Sequence, residues 1–78
     1  MINNKDIVII IEAMIDEAIM QFVNQSFEVN QLKVFQLNKA QYSAVHLGKC
    51  FKNYALLHPN IQHIGLNTSR HDLYRVQL

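Results

Sequence analysis

Apolar residues recur at helical spacing through the first third of the chain. At about 100° per residue, Ile7, Ile11, Met14, Ile15, Ala18, Ile19 and Phe22 share one face, which predicts a core-facing helix from about Asn4 to Asn24. Asn3 or Asn4 can cap it, Asp6 and Glu12 suit its early turns, and neither Gly nor Pro interrupts it. The β-branched run Ile7–Ile11 would also suit a strand, but the acidic, Ala- and Met-bearing continuation favours the helix. Ile9, Ile10 and Met20 fall outside the stripe. They are either covered by the rest of the domain or form a homodimer surface on the first helix.

Residues 25–38 change period. Phe27 and Val29 alternate around Glu28, as in a short strand, and from Asn30, a cap candidate, Leu32 and Phe35 stand at helical spacing. The pattern predicts a short strand followed by a short helix, with an extended hairpin as the alternative. A second long helix is predicted from Lys39 to Leu57, capped by Asn38 and stopped before Pro59. Its buried stripe is Ala40, Ala44, Leu47, Phe51, Tyr54 and Ala55, leaving Tyr42, His46, Lys49, Lys52 and Asn53 outward. Gly48 inside it costs about 1 kcal/mol relative to Ala, so a close approach of another element or of a ligand is expected there. The tail predicts a β-hairpin of Ile61–Leu66 and Leu73–Leu78 around the polar turn Asn67–Asp72. Tyr74, Val76 and Leu78 form its inward face.

The elements together predict a single α+β domain: a small helical core with a C-terminal β-hairpin. The length of 78 residues, with 50% hydrophobic and 17% charged positions, allows one packed core and excludes wholesale disorder. Chains this short often strengthen the core by oligomerising. One cysteine, Cys50, permits no intrachain disulfide, in keeping with a cytoplasmic location. The apolar run Ile7–Ile11 is broken by Glu12, far short of the roughly 20 residues a membrane span needs, and it lacks the flanks of a signal peptide.

Charge alters this picture. Across residues 1–30, Lys5 stands against Asp6, Glu12, Asp16, Glu17 and Glu28, net −4. Across residues 31–78, Lys33, Lys39, Lys49, Lys52, Arg70 and Arg75 stand against Asp72, net +5. A basic two-thirds attached to an acidic third points to an anionic partner for one end, the alternative being ordinary scatter of thirteen charges.

The stretch Phe27-Glu-Val-Asn-Gln-Leu-Lys-Val-Phe-Gln-Leu-Asn-Lys-Ala-Gln-Tyr-Ser-Ala-Val-His-Leu-Gly-Lys49, with the hairpin after it, resembles a winged helix-turn-helix DNA-binding domain. The resemblance implies a turn at Gln36–Asn38, a recognition helix from Lys39, Leu47 as its inward anchor and Leu32 as the counterpart on the preceding helix. It implies a small regulatory DNA-binding protein of bacterial, phage or plasmid type. Lys39, Tyr42, Ser43, His46, Lys49 and Asn53 then form the reading face. Ser and Asn can bond base edges, and Lys and His⁺ neutralise phosphate. Arg70 at the hairpin tip, beside Thr68 and Ser69, would act as the wing, with Lys52 and Arg75 as flanking phosphate contacts. The plain alternative is a solvated outer face serving only solubility.

Other chemistries find less support. His46 and Cys50 stand four apart, but one cysteine with scattered His58, His63 and His71 does not make a zinc pattern. Cys50 beside His46 and Lys49 lacks the oxyanion-hole glycines of a thiol hydrolase. Glu12, Asp16 and Glu17 look like a solvated acidic face, and Gly48 and Gly65 cannot build a phosphate loop. No catalytic residue, metal or cofactor is therefore expected. The rival function is a protein-interaction module or small inhibitor of mobile-element origin, docking through Ile9, Ile10 and Met20 with Tyr42, Val45 and Leu56.

Overall fold

A computed structural model describes residues 4–78. Helix α1 (Asn4–Gln21) is followed by strand β1 (Ser26–Phe27), a 3-10 turn (Val29–Gln31), α2 (Lys33–Tyr42), α3 (Ala44–Ala55), β2 (Ile61–Leu66) and β3 (Asp72–Val76). The fold is α+β, as the periodicities predict. The cap expected at Asn3 lies outside the described residues.

The stripe of α1 lies on the core as predicted: Ile7, Ile11, Met14, Ile15 and Ala18 are buried, with Ile19 and Phe22 packed at the margin. Ile9 and Met20 are exposed, but Ile10 packs against the core and is not a free surface residue. Three helices cover one face of an antiparallel sheet ordered β1-β3-β2. Phe27 pairs with Tyr74, and Ile61 with Val76, so β3 is the central strand. Tyr74 and Val76 point inward. By strand alternation Arg75, paired with Gln62 and Ser26, lies on the outer face. Leu78, expected inward, is exposed beyond the end of β3.

Aromatic rings join the layers. Phe27 stacks on Tyr74 at 5.6 Å and on Phe22 at 5.4 Å, while Phe51 of α3 meets Tyr74 edge-on at 5.0 Å. Burying a side chain of this size contributes about 1.5–3 kcal/mol, so Phe51 is the main tie between α3 and the sheet.

The single helix expected over residues 39–57 is two. Asn38 does not cap a helix; it sits within α2, its Nδ2 donating to the Val34 carbonyl at 2.8 Å. The turn expected at Gln36–Asn38 is therefore helical. Phe35 and Tyr42, two helical turns apart, both reach the core and carry α2 through that region. The break comes at Ser43, whose φ of 70° and ψ of 132° lie outside helical space. Its Oγ accepts the His46 N–H at 3.3 Å, capping α3. Ala40 and Ala44, assigned to the buried stripe, are exposed, as in large part is Tyr54; Leu47, Phe51 and Ala55 carry the packing. The start of α2 has no side-chain cap of its own. Glu17 of α1 supplies one, accepting the Lys33 and Val34 N–H groups at 2.7 and 2.9 Å. No helix among the described residues is long and apolar enough to cross a membrane.

Candidate nucleic-acid interface

Leu47, Phe51 and Ala55 turn one side of α3 into the core, so the opposite side presents Val45, His46, Lys49 and Asn53 to solvent. Beside that side stands the β2–β3 hairpin. Its loop is ordered by Asn67, whose Oδ1 accepts the N–H groups of Ser69 and His71 at 2.9 and 3.0 Å. Arg70 at the tip has a φ of 62°, left-handed backbone that Gly or Asn adopts more readily.

The hairpin is fastened to α3 by charge. Lys52 Nζ lies 3.4 Å from Asp72 Oδ1, and the same oxygen is 2.8 Å from His63 Nε2. Burial alone would raise the Asp72 carboxyl, but the His63 hydrogen bond and the Lys52 charge outweigh it and hold the group below the usual carboxylate range. Next to it, burial, with the Asp72 charge added, pushes the Tyr74 hydroxyl well above the ordinary tyrosine range. Tyr74 is thus a neutral wall and not an acid–base group.

Between α3 and the hairpin lies an open groove of about 510 Å³. Its floor includes Ala44, Val45 and Gly48, and its rim carries Lys49, Lys52, Arg70, His71, Glu28 and Asp72. Two of the polar groups on this rim are already partnered within the chain. Lys52 is spent on Asp72, and His71 Nδ1 sits 2.8 Å from Glu28 Oε1. Among the described residues, neither Lys49 nor Arg70 has an ion-pair partner. The groove lining therefore carries Lys49, Lys52 and Arg70 against Glu28 and Asp72, an excess of one positive charge with His71 neutral, and the N-terminal end of α3 adds partial positive charge.

The residues predicted for this face scatter in part. Lys49, Lys52 and Arg70 line the groove together. His46 and Asn53 are exposed on α3 outside it, and Lys39 is exposed on the last turn of α2. Tyr42 is only 8% exposed and belongs to the core, because α2 ends with that residue turned inward. Ser43 is committed to capping. Arg75 lies on the far face of the sheet. What sequence reasoning missed is the floor: Ala44 read as core, and Val45 as part of a protein-docking patch. The close approach of another element expected at Gly48 is not found. A Cβ built there meets nothing within 4 Å.

His46 Nε2 and Cys50 Sγ are 3.9 Å apart on another flank of α3, and no three metal-ligating side chains gather among the described residues. The chain matches no protein-family model, no curated protein and no solved structure.

Proposed function

We propose that this chain is a small DNA-binding regulatory protein that grips duplex DNA with α3 and the hairpin tip. The observation that carries the reading is the meeting of Lys49 and Arg70, both unpaired, across one open groove. Phosphates supply most of the affinity in such an interface, and free cations on a concave surface are the groups that collect them. The order of elements and the strand order β1-β3-β2 support the winged-helix resemblance. His46 and Asn53 stand beside Lys49 as further exposed hydrogen-bonding groups. The acidic residues Glu12 and Asp16 lie in a separate cleft with the C-terminal end of α3, while the two carboxylates on the groove, Glu28 and Asp72, are held by His71 and Lys52. A cytoplasmic setting is in keeping with that role. Ile9 and Met20, exposed along α1, are the residues a homodimer would use.

The test is retention of pooled random duplexes at two salt concentrations. Binding should weaken steeply with salt. Lys49→Glu combined with Arg70→Ala should lower affinity at least tenfold while leaving thermal unfolding in place. A double variant that binds as well as the parent overturns the assignment.

A second reading, a protein-docking module, draws on the other cleft. It measures about 360 Å³, is lined by Ile15, Tyr54 and Pro59 between Glu12, Asp16 and His58, and is edged by Leu57, which is 86% exposed. This reading expects a partner whose binding barely responds to salt and is lost on Leu57→Ser.

A further inference from the structure

The floor of the α3–hairpin groove raises a question that its cationic rim does not answer. Anion binding needs Lys49 and Arg70, yet between them the helix surface is Ala44, Val45 and Gly48. Val45 is 68% exposed. Gly48 has open space above its Cα. The result is a short apolar surface on α3 beside Lys49, in a groove that Arg70, Glu28 and Asp72 also line.

The chemistry of a duplex narrows what such a strip can meet. With Lys49 and Arg70 on phosphates, the α3 surface beside Lys49 would meet the base edges in the major groove. Those edges present hydrogen-bond donors and acceptors and a single apolar group, the C5-methyl of thymine. Polar base edges pressed on Val45 without partners would lose their water and gain nothing. A thymine methyl loses only unfavourable hydration. The residues that set the strip lie at the N-terminal end of α3, the part of a recognition helix that enters the groove most deeply.

We infer that Val45, with Ala44 and Gly48 beside it, selects thymine-bearing duplex by packing on the C5-methyl groups. Lys49 and Arg70 hold the flanking phosphates. This rests on the DNA-binding reading above. On the same face Asn53 lies two turns along from Val45, with Lys49 between them. Val45 is the specificity-determining residue and Lys49 the affinity-determining one.

The experiment compares binding of the full chain to three duplexes of equal length at fixed salt: alternating dA·dT, the same sequence with deoxyuridine for thymidine, and alternating dG·dC. Removing the methyl is expected to weaken binding about fourfold per contacted thymine, the affinity equivalent of one methyl group taken from water. Val45→Ala is expected to bind the thymine and uracil duplexes alike, with unchanged thermal unfolding since the side chain is exposed. Equal affinity of the parent for thymine and uracil duplexes overturns the inference while leaving DNA binding standing. So does discrimination that survives in Val45→Ala. Failure to bind any of the three duplexes at low salt overturns both this inference and the DNA-binding reading.

Discussion

Glu17 caps the start of α2: its carboxylate takes the Lys33 N–H at 2.7 Å, and the Val34 N–H at 2.9 Å, from a helix earlier in the chain. Leu32, the residue at the cap position, offers no side-chain acceptor, so α2 depends on α1 for the satisfaction of its first donors. The carboxylate also lies where the helix dipole is positive.

Removing that carboxylate should destabilise the whole domain. Glu17→Ala is expected to cost about 1–2 kcal/mol, the range for losing an N-cap acceptor. Glu17→Gln, which keeps one amide oxygen, should recover part of it. Urea denaturation followed by circular dichroism measures both, and an alanine variant as stable as the parent would refute the cap.

The break between α2 and α3 gives a second prediction. Ser43 combines a favourable cap, Oγ to the His46 N–H, with an unfavourable φ of 70°. Alanine loses the cap and keeps the strain, so Ser43→Ala should cost about 1 kcal/mol. Glycine caps nearly as well as serine and adopts positive φ freely, so Ser43→Gly should raise the unfolding temperature. Opposite shifts of the two variants in one calorimetric comparison are the expected signature.

The same junction shows what was readable in the sequence. The stripe of α1 was legible because seven apolar residues keep one period, and the hairpin was legible because Tyr74 and Val76 alternate around Arg75 beside a polar turn. The α2–α3 boundary was not. Ala40 and Ala44 continue an apparent apolar stripe across it, and the break falls on a serine, without the glycine or proline that usually marks such a turn. Asn38, a favourable cap residue locally, was overruled because Phe35 and Tyr42 must both reach the core. Glu17 read as solvated because its partners lie in another element. Lys49, Lys52 and Arg70 were each legible as exposed cations. Their meeting in one groove was not, since it depends on the Lys52–Asp72 contact and on β3 lying at the centre of the sheet.

That contact predicts a pH dependence. The Asp72 carboxyl titrates lower in the folded chain than its ordinary value of 3.8. Its contribution is therefore complete above about pH 4, the unfolded range, and is lost as pH falls through the lower folded value. The unfolding temperature of the parent should fall across this acidic window, and that of Asp72→Asn should fall less there. At neutral pH the variant should start lower, since Lys52 and His63 lose their anion. Parallel profiles for the two proteins below pH 4 would show that the carboxylate does not secure the hairpin.

Gly48 and Arg70 set stability against binding. In the middle of α3, glycine gives up about 0.5–1 kcal/mol relative to alanine, and a Cβ at this position meets nothing within 4 Å. Gly48→Ala should therefore stabilise the fold by about that much. Arg70 holds left-handed backbone at φ 62°, so Arg70→Gly should also stabilise, by about 0.5–1 kcal/mol once the greater freedom of glycine in the unfolded chain is counted. The groove accounts for both: glycine keeps its floor low, and arginine puts a cation on its rim. Each variant should unfold at higher temperature and bind duplex DNA more weakly. Arg70→Gly should also reduce the slope of log affinity against log salt by about one, the loss of a single phosphate contact. Gly48→Ala should leave that slope unchanged, because it alters the fit of the floor and not the charge. Stability and affinity moving in the same direction in both variants would remove the functional explanation for these two residues.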